Sequence, residues 1–308
     1  METTRHEPFA SVLVALDLTE MDDPLIRYVA TLSETLPLER IFFVHVAQTL
    51  ELPTELREEY PGVLDPLDES ITADMQQKVN RCLGASDLAI HCIVREGDPI
   101  EEILKLSKIK DIDLILMGRK KSLRGSGIVS SKIARKCPCS LLLVPSDFRP
   151  TIEKILVPVD FSAHAALAMR HALEISGASP AKLLTLHLYQ VPIGYYKTGK
   201  SYEEFRQIMQ SHAEKDYRAF VAKHQLPPDI AGEYVAADNG KHAELTYAFA
   251  RENQADLIVI GSRGRTATAA VLMGSMAEKL VYRDSDIPVL IVKQKGENMG
   301  LLDTLMSI

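Results

Sequence analysis

The sequence predicts an α/β protein: two tandem doubly wound domains, each built on a mostly parallel sheet of about five strands. Three observations carry that prediction. The chain repeats itself at one spacing, from Asp17 to Gly118 in the first copy and from Asp160 to Gly261 in the second. Within each copy, short continuous Val/Ile/Leu runs alternate with longer segments of helical periodicity. That is the pattern of βαβ units whose strands are buried on both faces. Glycines recur at the carboxyl ends of the apolar runs, where sheets of this kind take ligands.

The repeat is read directly. SVLVALDLTE matches KILVPVDFSA, and DIDLILMGRK matches QADLIVIGSR. Asp17 and Asp160, Gly97 and Gly240, Asp113 and Asp256, and Gly118 and Gly261 are each 143 residues apart, and His45 and His187 are 142 apart. The copies are 1–147 and 150–293, with SDFRPTIEK as the seam and 294–308 as a C-terminal tail. In the second copy KILVPVD reads as a strand, HAALAMRHALEISG as a helix and KLLTLHLY as a strand. A helix follows from Tyr202 to about His224. EYVAA, DLIVIG and PVLIVK then read as strands, with helices AELTYAFAREN and SMAEKLVYR between them.

Composition bounds the function. The 308 residues are 46% hydrophobic and 25% charged, as in globular proteins of two ordinary domains. A net charge of −7 argues against a broad nucleic-acid surface and against anionic membranes. METTRHEPFA lacks the apolar stretch of a secretory signal, and no run of apolar residues is long enough to span a bilayer. The expectation is a cytoplasmic protein with no membrane insertion and no nucleic-acid partner. Four cysteines make no disulfide framework, and Cys137-Pro138-Cys139 lacks the second pair a zinc site needs. Buried thiols are expected, and no metal site.

The stretch GSRGRTATAAVLMGS, Gly261 to Ser275, holds the chemistry. Gly261 and Gly264 follow a buried strand and allow a close backbone approach, with peptide N–H groups free to face an anion. Gly274-Ser275 opens the next helix, whose N-terminus favours phosphate. Arg263 and Arg265 add charge. Ser275 with Glu278 spells a capping box. By itself the stretch reads equally as turn glycines and a helix cap.

Gly261-x-x-Gly264, nine residues, then Gly274-Ser275 resembles the nucleotide motif of the universal stress protein family. VPVDFS, ADLIVIGSRG and SDIPVLIVK resemble its first, fourth and last strands, and the resemblance covers nearly the whole chain twice. It implies two Rossmann-like domains packed as an intramolecular pseudo-dimer, with a homodimer of whole chains as a further expectation. It implies an adenine nucleotide as ligand, ATP with or without Mg²⁺. Asp160 would contact the nucleoside, with Pro158 and Val159 beside it, and the backbone near Leu188 would lie by the adenine. Gly261 and Arg263 map to the first Gly and the Arg after it, and the phosphates would meet Gly264, Arg265, Gly274, Ser275 and Met276. The sequence departs from the family at Gly240-Lys241-His242, where Gly-x-Pro is usual.

The first copy keeps Asp17 and Gly118 and has the Gly-x-Pro in REGDPIEEIL. Its loop reads GRKKSLRGSGIVSSK, with Lys121 in place of the second glycine. Val144 and Val292 are 148 apart, so this loop is about five residues shorter, and Gly127 falls near the place of Gly274. Arg119, Lys120, Lys121 and Arg124 remain as cations. A degenerate or regulatory site is expected, with Asp17, Gly118, Arg119, Lys121 and Gly127 as candidates for a weak anion site.

Other signals are weaker. GYYKTGKS, Gly194 to Ser201, spells a phosphate-loop pattern but follows the second strand of its domain, and no later strand ends in a magnesium-holding aspartate. A flexible loop is expected there. His45 and His187 read as strand-end histidines. Leu301, Leu302, Leu305 and Met306 give the tail an apolar face. Three functions stay open: a nucleotide-binding stress or signalling protein, a slow ATPase or related nucleotide-converting enzyme, and an interaction protein with a vestigial pocket. No motif names a protein partner.

Overall fold

A computed structural model describes residues 8–50, 67–84, 88–119, 127–149, 151–177, 182–237, 240–265, 272–283 and 285–300. The chain forms two compact units, Pro8–Pro150 together with the chain from Lys295 onward, and Thr151–Gln294.

The first unit runs β1 (Ser11–Leu16), α1 (Asp22–Ser33), β2 (Arg40–Ala47), α2 (Leu67–Leu83), β3 (Ala89–Glu96), α3 (Pro99–Ile109), β4 (Leu114–Arg119), α4 (Gly127–Lys136) and β5 (Ser140–Pro145). Its strands pair in parallel in the order β3-β2-β1-β4-β5. The second unit runs β6 (Lys154–Pro158), α5 (Ala163–Gly177), β7 (Lys182–Tyr189), a 3₁₀ turn (Ile193–Thr198) and α6 (Tyr202–Lys223). It continues with β8 (Gly232–Ala236), α7 (His242–Glu252), β9 (Leu257–Gly261), α8 (Ser275–Tyr282) and β10 (Val289–Val292). Its parallel order is β8-β7-β6-β9-β10. Each chain segment winds outward from its central strand, then crosses back to build the other half. The switch lies between β1 and β4, and between β6 and β9, where diverging loops leave a crevice at the carboxyl ends.

Continuous apolar runs build the centre of each sheet. Every side chain from Val12 to Val14, Leu114 to Leu116, Ile155 to Val157 and Leu257 to Val259 is fully buried. The strands β3 and β8, at the outer ends of the two orders, hold only exposed and half-buried residues.

The repeated aspartates have a common task. Asp113 Oδ2 accepts from the backbone N–H groups of Ala10 and Ser11 at 3.1 and 2.8 Å. Asp256 Oδ2 accepts from Glu153 and Lys154, both at 3.0 Å. Each carboxylate thus satisfies two donors at the start of its unit's central strand. In the first unit Lys295 adds a counter-ion, with Nζ 2.7 Å from Asp113 and 2.8 Å from Asp111. Gly296 N donates to Pro138 O at 2.9 Å, and Asn298 Nδ2 to Arg135 O at 3.1 Å. Leu301, Leu302, Leu305 and Met306 lie outside the described residues.

The phosphate-loop spelling at GYYKTGKS has a structural cause. Tyr195 and Tyr196 lie in the 3₁₀ turn, Gly199 takes a left-handed φ of 74°, and Ser201 is the N-cap of α6. Ser201 Oγ accepts from Glu204 N at 3.3 Å, and Glu204 Oε2 accepts from Ser201 N at 2.8 Å. The serine of the pattern is therefore engaged in a capping box. All four cysteines are free thiols, Cys137 and Cys139 buried, Cys82 and Cys92 half-buried.

Candidate functional site

In the second unit the switch-point crevice is a cavity of about 410 Å³. Pro158 and Asp160 line it from the end of β6, Ile260 and Gly261 from the end of β9, and Arg263, Gly264, Arg265 and Gly274 from the loop that follows. His242 and Ala243 enter from the start of α7, and Ser275, Met276, Ala277 and Lys279 from the start of α8.

The loop is held in place by its backbone. Ser262 N donates to Val292 O at 2.8 Å, and Gly274 N donates to Ser262 O at 2.7 Å, so the loop's two ends meet. Asp160 Oδ1 accepts from Ser162 N at 3.1 Å, and Oδ2 reaches across the crevice to Arg265 N at 2.8 Å. Two glycines lie at close approaches, Gly261 against backbone and Gly264 against a side-chain end. A Cβ on Gly261 would lie 2.7 Å from the His164 backbone, and one on Gly264 would lie 2.9 Å from Asp160 Oδ2. Residues between Arg265 and Leu272 fall outside the described part.

Of the residues singled out from sequence, Pro158, Asp160, Gly261, Arg263, Gly264, Arg265, Gly274, Ser275 and Met276 come together on this cavity. Val159 and Leu188 do not line it. Strand side chains alternate between faces, so a lining Pro158 and Asp160 send Val159, only 4% exposed, to the other side. The sequence reading missed Lys279, which stands four residues after Ser275 and so on the same helix face.

The expected capping box at Ser275 and Glu278 does not form. Gly274, extended at φ −71° and ψ 151°, is the N-cap and has no side chain to cap with, and Ser275 is the first helical residue. A capping box needs its serine one position earlier. The α7 terminus is likewise without a side-chain cap, its N-cap being Lys241. Two helix N-termini whose N-cap residues, Lys241 and Gly274, supply no side-chain cap therefore open on one cavity beside Arg263, Arg265, Lys279 and His242. Free first-turn N–H groups, the positive dipole ends and the cations all favour an anion.

Beneath the crevice, His187 Nδ1 lies 2.8 Å from Val159 O, and Phe161 stacks on the imidazole at 4.2 Å between ring centroids. A carbonyl only accepts, so Nδ1 carries the proton. Burial pushes the His187 pKa below its ordinary value; the bond to Val159 opposes this, and the nearby Arg265 charge adds to it. Phe161 holds a left-handed φ of 65°, which is rare for a bulky residue.

The first unit repeats this frame with other contents. His45 Nδ1 lies 3.0 Å from Leu16 O, and Leu18 has a φ of 61°. Its crevice is a cavity of about 610 Å³ that includes Asp17, Gly118, Met21, Leu25, Val46, Pro99, Ile103, Met117 and Val129. Asp17 Oδ1 accepts from Thr19 N and Oγ1, and Gly118 lies against Met21, whose side chain a Cβ there would overlap. Gly127 opens α4 as its first residue, the place of Ser275. Arg119 ends β4, half-buried. Lys120, Lys121 and Arg124 lie outside the described residues. Unlike α7, helix α3 is capped: Asp98 accepts from Ile100 N at 2.9 Å and Glu101 N at 3.0 Å.

Comparison with known proteins agrees with this architecture. The sequence model of the universal stress protein family matches residues 8–145 and again 151–293, and the chain belongs to that family. A universal stress protein of Thermus aquaticus is 32% identical over 141 residues, which cover 46% of this chain and 98% of that protein. One of Methanocaldococcus jannaschii is 25% identical over 158 residues, covering 47% of this chain and 96% of that protein. The crystal structure of a universal stress protein from Archaeoglobus fulgidus superposes with a TM-score of 0.60 at 19% identity, over 92% of this chain and 98% of the other. At that identity the likeness is one of fold.

Proposed function

We propose that the second unit binds an adenine nucleotide, ATP, and that its occupancy serves a stress-response or signalling role. The observation that carries this reading is the convergence of two helix N-termini, neither capped by its N-cap side chain, and three basic side chains on one crevice at the switch point. The phosphates would rest against the loop from Gly264 to Met276, with Arg263, Arg265 and Lys279 supplying charge. The nucleoside would lie toward Asp160 and Pro158. Among the described residues no cluster of three His, Cys, Asp or Glu side chains is placed to hold a metal ion, so Mg²⁺ would arrive on the phosphates. Signalling needs only that ATP favour one of two states of the protein that a partner distinguishes.

Gly274→Asp tests the reading without breaking the fold. Gly274 already has extended geometry, and a Cβ there meets nothing closer than 3.4 Å. Aspartate caps helices slightly better than glycine. It also places a negative charge where the phosphates would sit, a clash of several kcal/mol. Titration calorimetry should show ATP binding at one site per chain in the wild type and at least ~100-fold weaker binding in the variant. The thermal midpoint should be unchanged or slightly higher. A wild-type protein that takes up no ATP, ADP or AMP at millimolar concentration would overturn the assignment.

A further inference from the structure

The two crevices occupy the same place in the repeated fold, yet several residues around them differ in kind. Four positions of the first cavity wall can be set beside the residues 143 further on: Met21 beside His164, Leu25 beside Ala168, Pro99 beside His242, and Ile103 beside Thr246. Each is a sizeable apolar residue in the first unit and a polar or small one in the second, where His242 lines the cavity and His164, Ala168 and Thr246 do not. The field differs as well. The helix that starts at Pro99 has its first N–H groups taken by Asp98, and Glu101 and Glu102 stand in its first turn. That helix end, which attracts anions in the second unit, is neutralised in the first.

We propose that the first-unit crevice binds a small, uncharged, mainly apolar molecule that carries a hydrogen-bond donor at one end. A volume of about 610 Å³ lies within the range that holds such ligands. Met21 and Met117, 3% and 8% exposed, give two of its walls flexible, polarisable side chains that adapt to an apolar guest. The polar side chains of the lining are Asp17, His45, Gln48 and Ser130. With Nδ1–H directed to Leu16 O, Nε2 is the ring nitrogen of His45 left to accept, and with the Asp17 carboxyl it matches a donor on the ligand. The proposal is independent of nucleotide binding by the second unit.

The uncharged fluorophore N-phenyl-1-naphthylamine, apolar with a single N–H, is a suitable probe. Titrated into the full chain, it should brighten and saturate at one site, and saturating ATP should leave that site unchanged. With ¹³C-methyl-labelled methionine, the Met21 and Met117 signals should shift and that of Met276, on the other cavity, should stay. Val46→Trp, a half-buried position on the first cavity wall, should weaken the probe about tenfold or more while the Met276 signal reports an intact second unit. Val129→Trp repeats the test from the helix side. No saturable binding up to the probe's solubility overturns the proposal. So does binding that ATP displaces with a Met276 shift, which places the probe in the second crevice. A shift of Met21 and Met117 with inorganic phosphate but not with the probe overturns it in favour of an anion site.

Discussion

At the third crossover helix of each unit the chain makes opposite choices. Before Pro99 stands Asp98, whose carboxylate accepts the helix's first free N–H groups. Before His242 stands Lys241, which caps nothing with its side chain. The strand order, the aspartate at the end of the central strand and the histidine beneath it are the same in both units. A duplicated sheet thus fixes where loops meet, while a few residues at helix starts set the sign of the field there. Apolar or polar substitution along the walls then completes the difference.

Substitutions at equivalent positions sharpen this comparison. The largest effect is expected at the close-packed glycines. Gly261→Ala drives a methyl into the His164 backbone, which cannot step aside, and should cost about 2–3 kcal/mol. Gly118→Ala meets the buried Met21 side chain at its Cγ, which must shift but is not backbone, and should cost less, about 1–2 kcal/mol. Urea unfolding of the two variants measures this, and equal losses would break the distinction between a backbone wall and a side-chain wall.

A smaller and sign-reversed pair follows at the left-handed residues. Phe161→Gly relieves backbone strain but loses the ring stacked on His187, for a net loss of about 1 kcal/mol. Leu18 is 41% exposed, so Leu18→Gly relieves the same strain with little packing to lose. It should leave stability level or raise it by up to about 0.5 kcal/mol, since glycine's extra freedom in the unfolded chain offsets part of the gain. A loss at Leu18 as large as that at Phe161 would show that its side chain is held in a way exposure conceals.

The smallest effect is one of pH. The folded His187 binds its proton less readily than an ordinary imidazole at 6.5, so below that value the unfolded chain takes up more protons. Its contribution to stability is complete above about pH 6.5 and is lost as pH falls through the lower, folded pKa. Thermal midpoints at pH 7.5 and pH 5 should differ less in His187→Gln than in the wild type, and an unchanged difference would remove His187 as a source.

Much of this was legible in the sequence because it repeats. The offset between Asp113 and Asp256 marked equivalent places, although nothing local told that each closes two backbone donors of a strand a hundred residues earlier. Of the phosphate-loop glycines, Gly261 is fixed by close approach, since the His164 backbone leaves a Cβ no room. Ser-x-x-Glu was not: it occurs at Ser201 and at Ser275, and only the first forms a box. The difference lies in which residue is extended at the helix start, and at Ser275 the meeting of Gly274 N with Ser262 O decides that. Lys279 was missed because its role depends on helix phase. The apolar character of the first crevice was spread over Met21, Leu25, Pro99 and Ile103, which only the fold gathers.

The segment from Lys295 to Gly300 has a practical consequence for dissecting the chain. It follows the second copy in sequence but completes the first in space, through Asp111, Asp113, Pro138 and Arg135. A gene fragment cut at the repeat boundary would encode a first unit lacking a counter-ion for two aspartates. A protease that nicks the chain near Thr151 would yield two pieces, and the larger would keep hold of the smaller by its own carboxyl-terminal end.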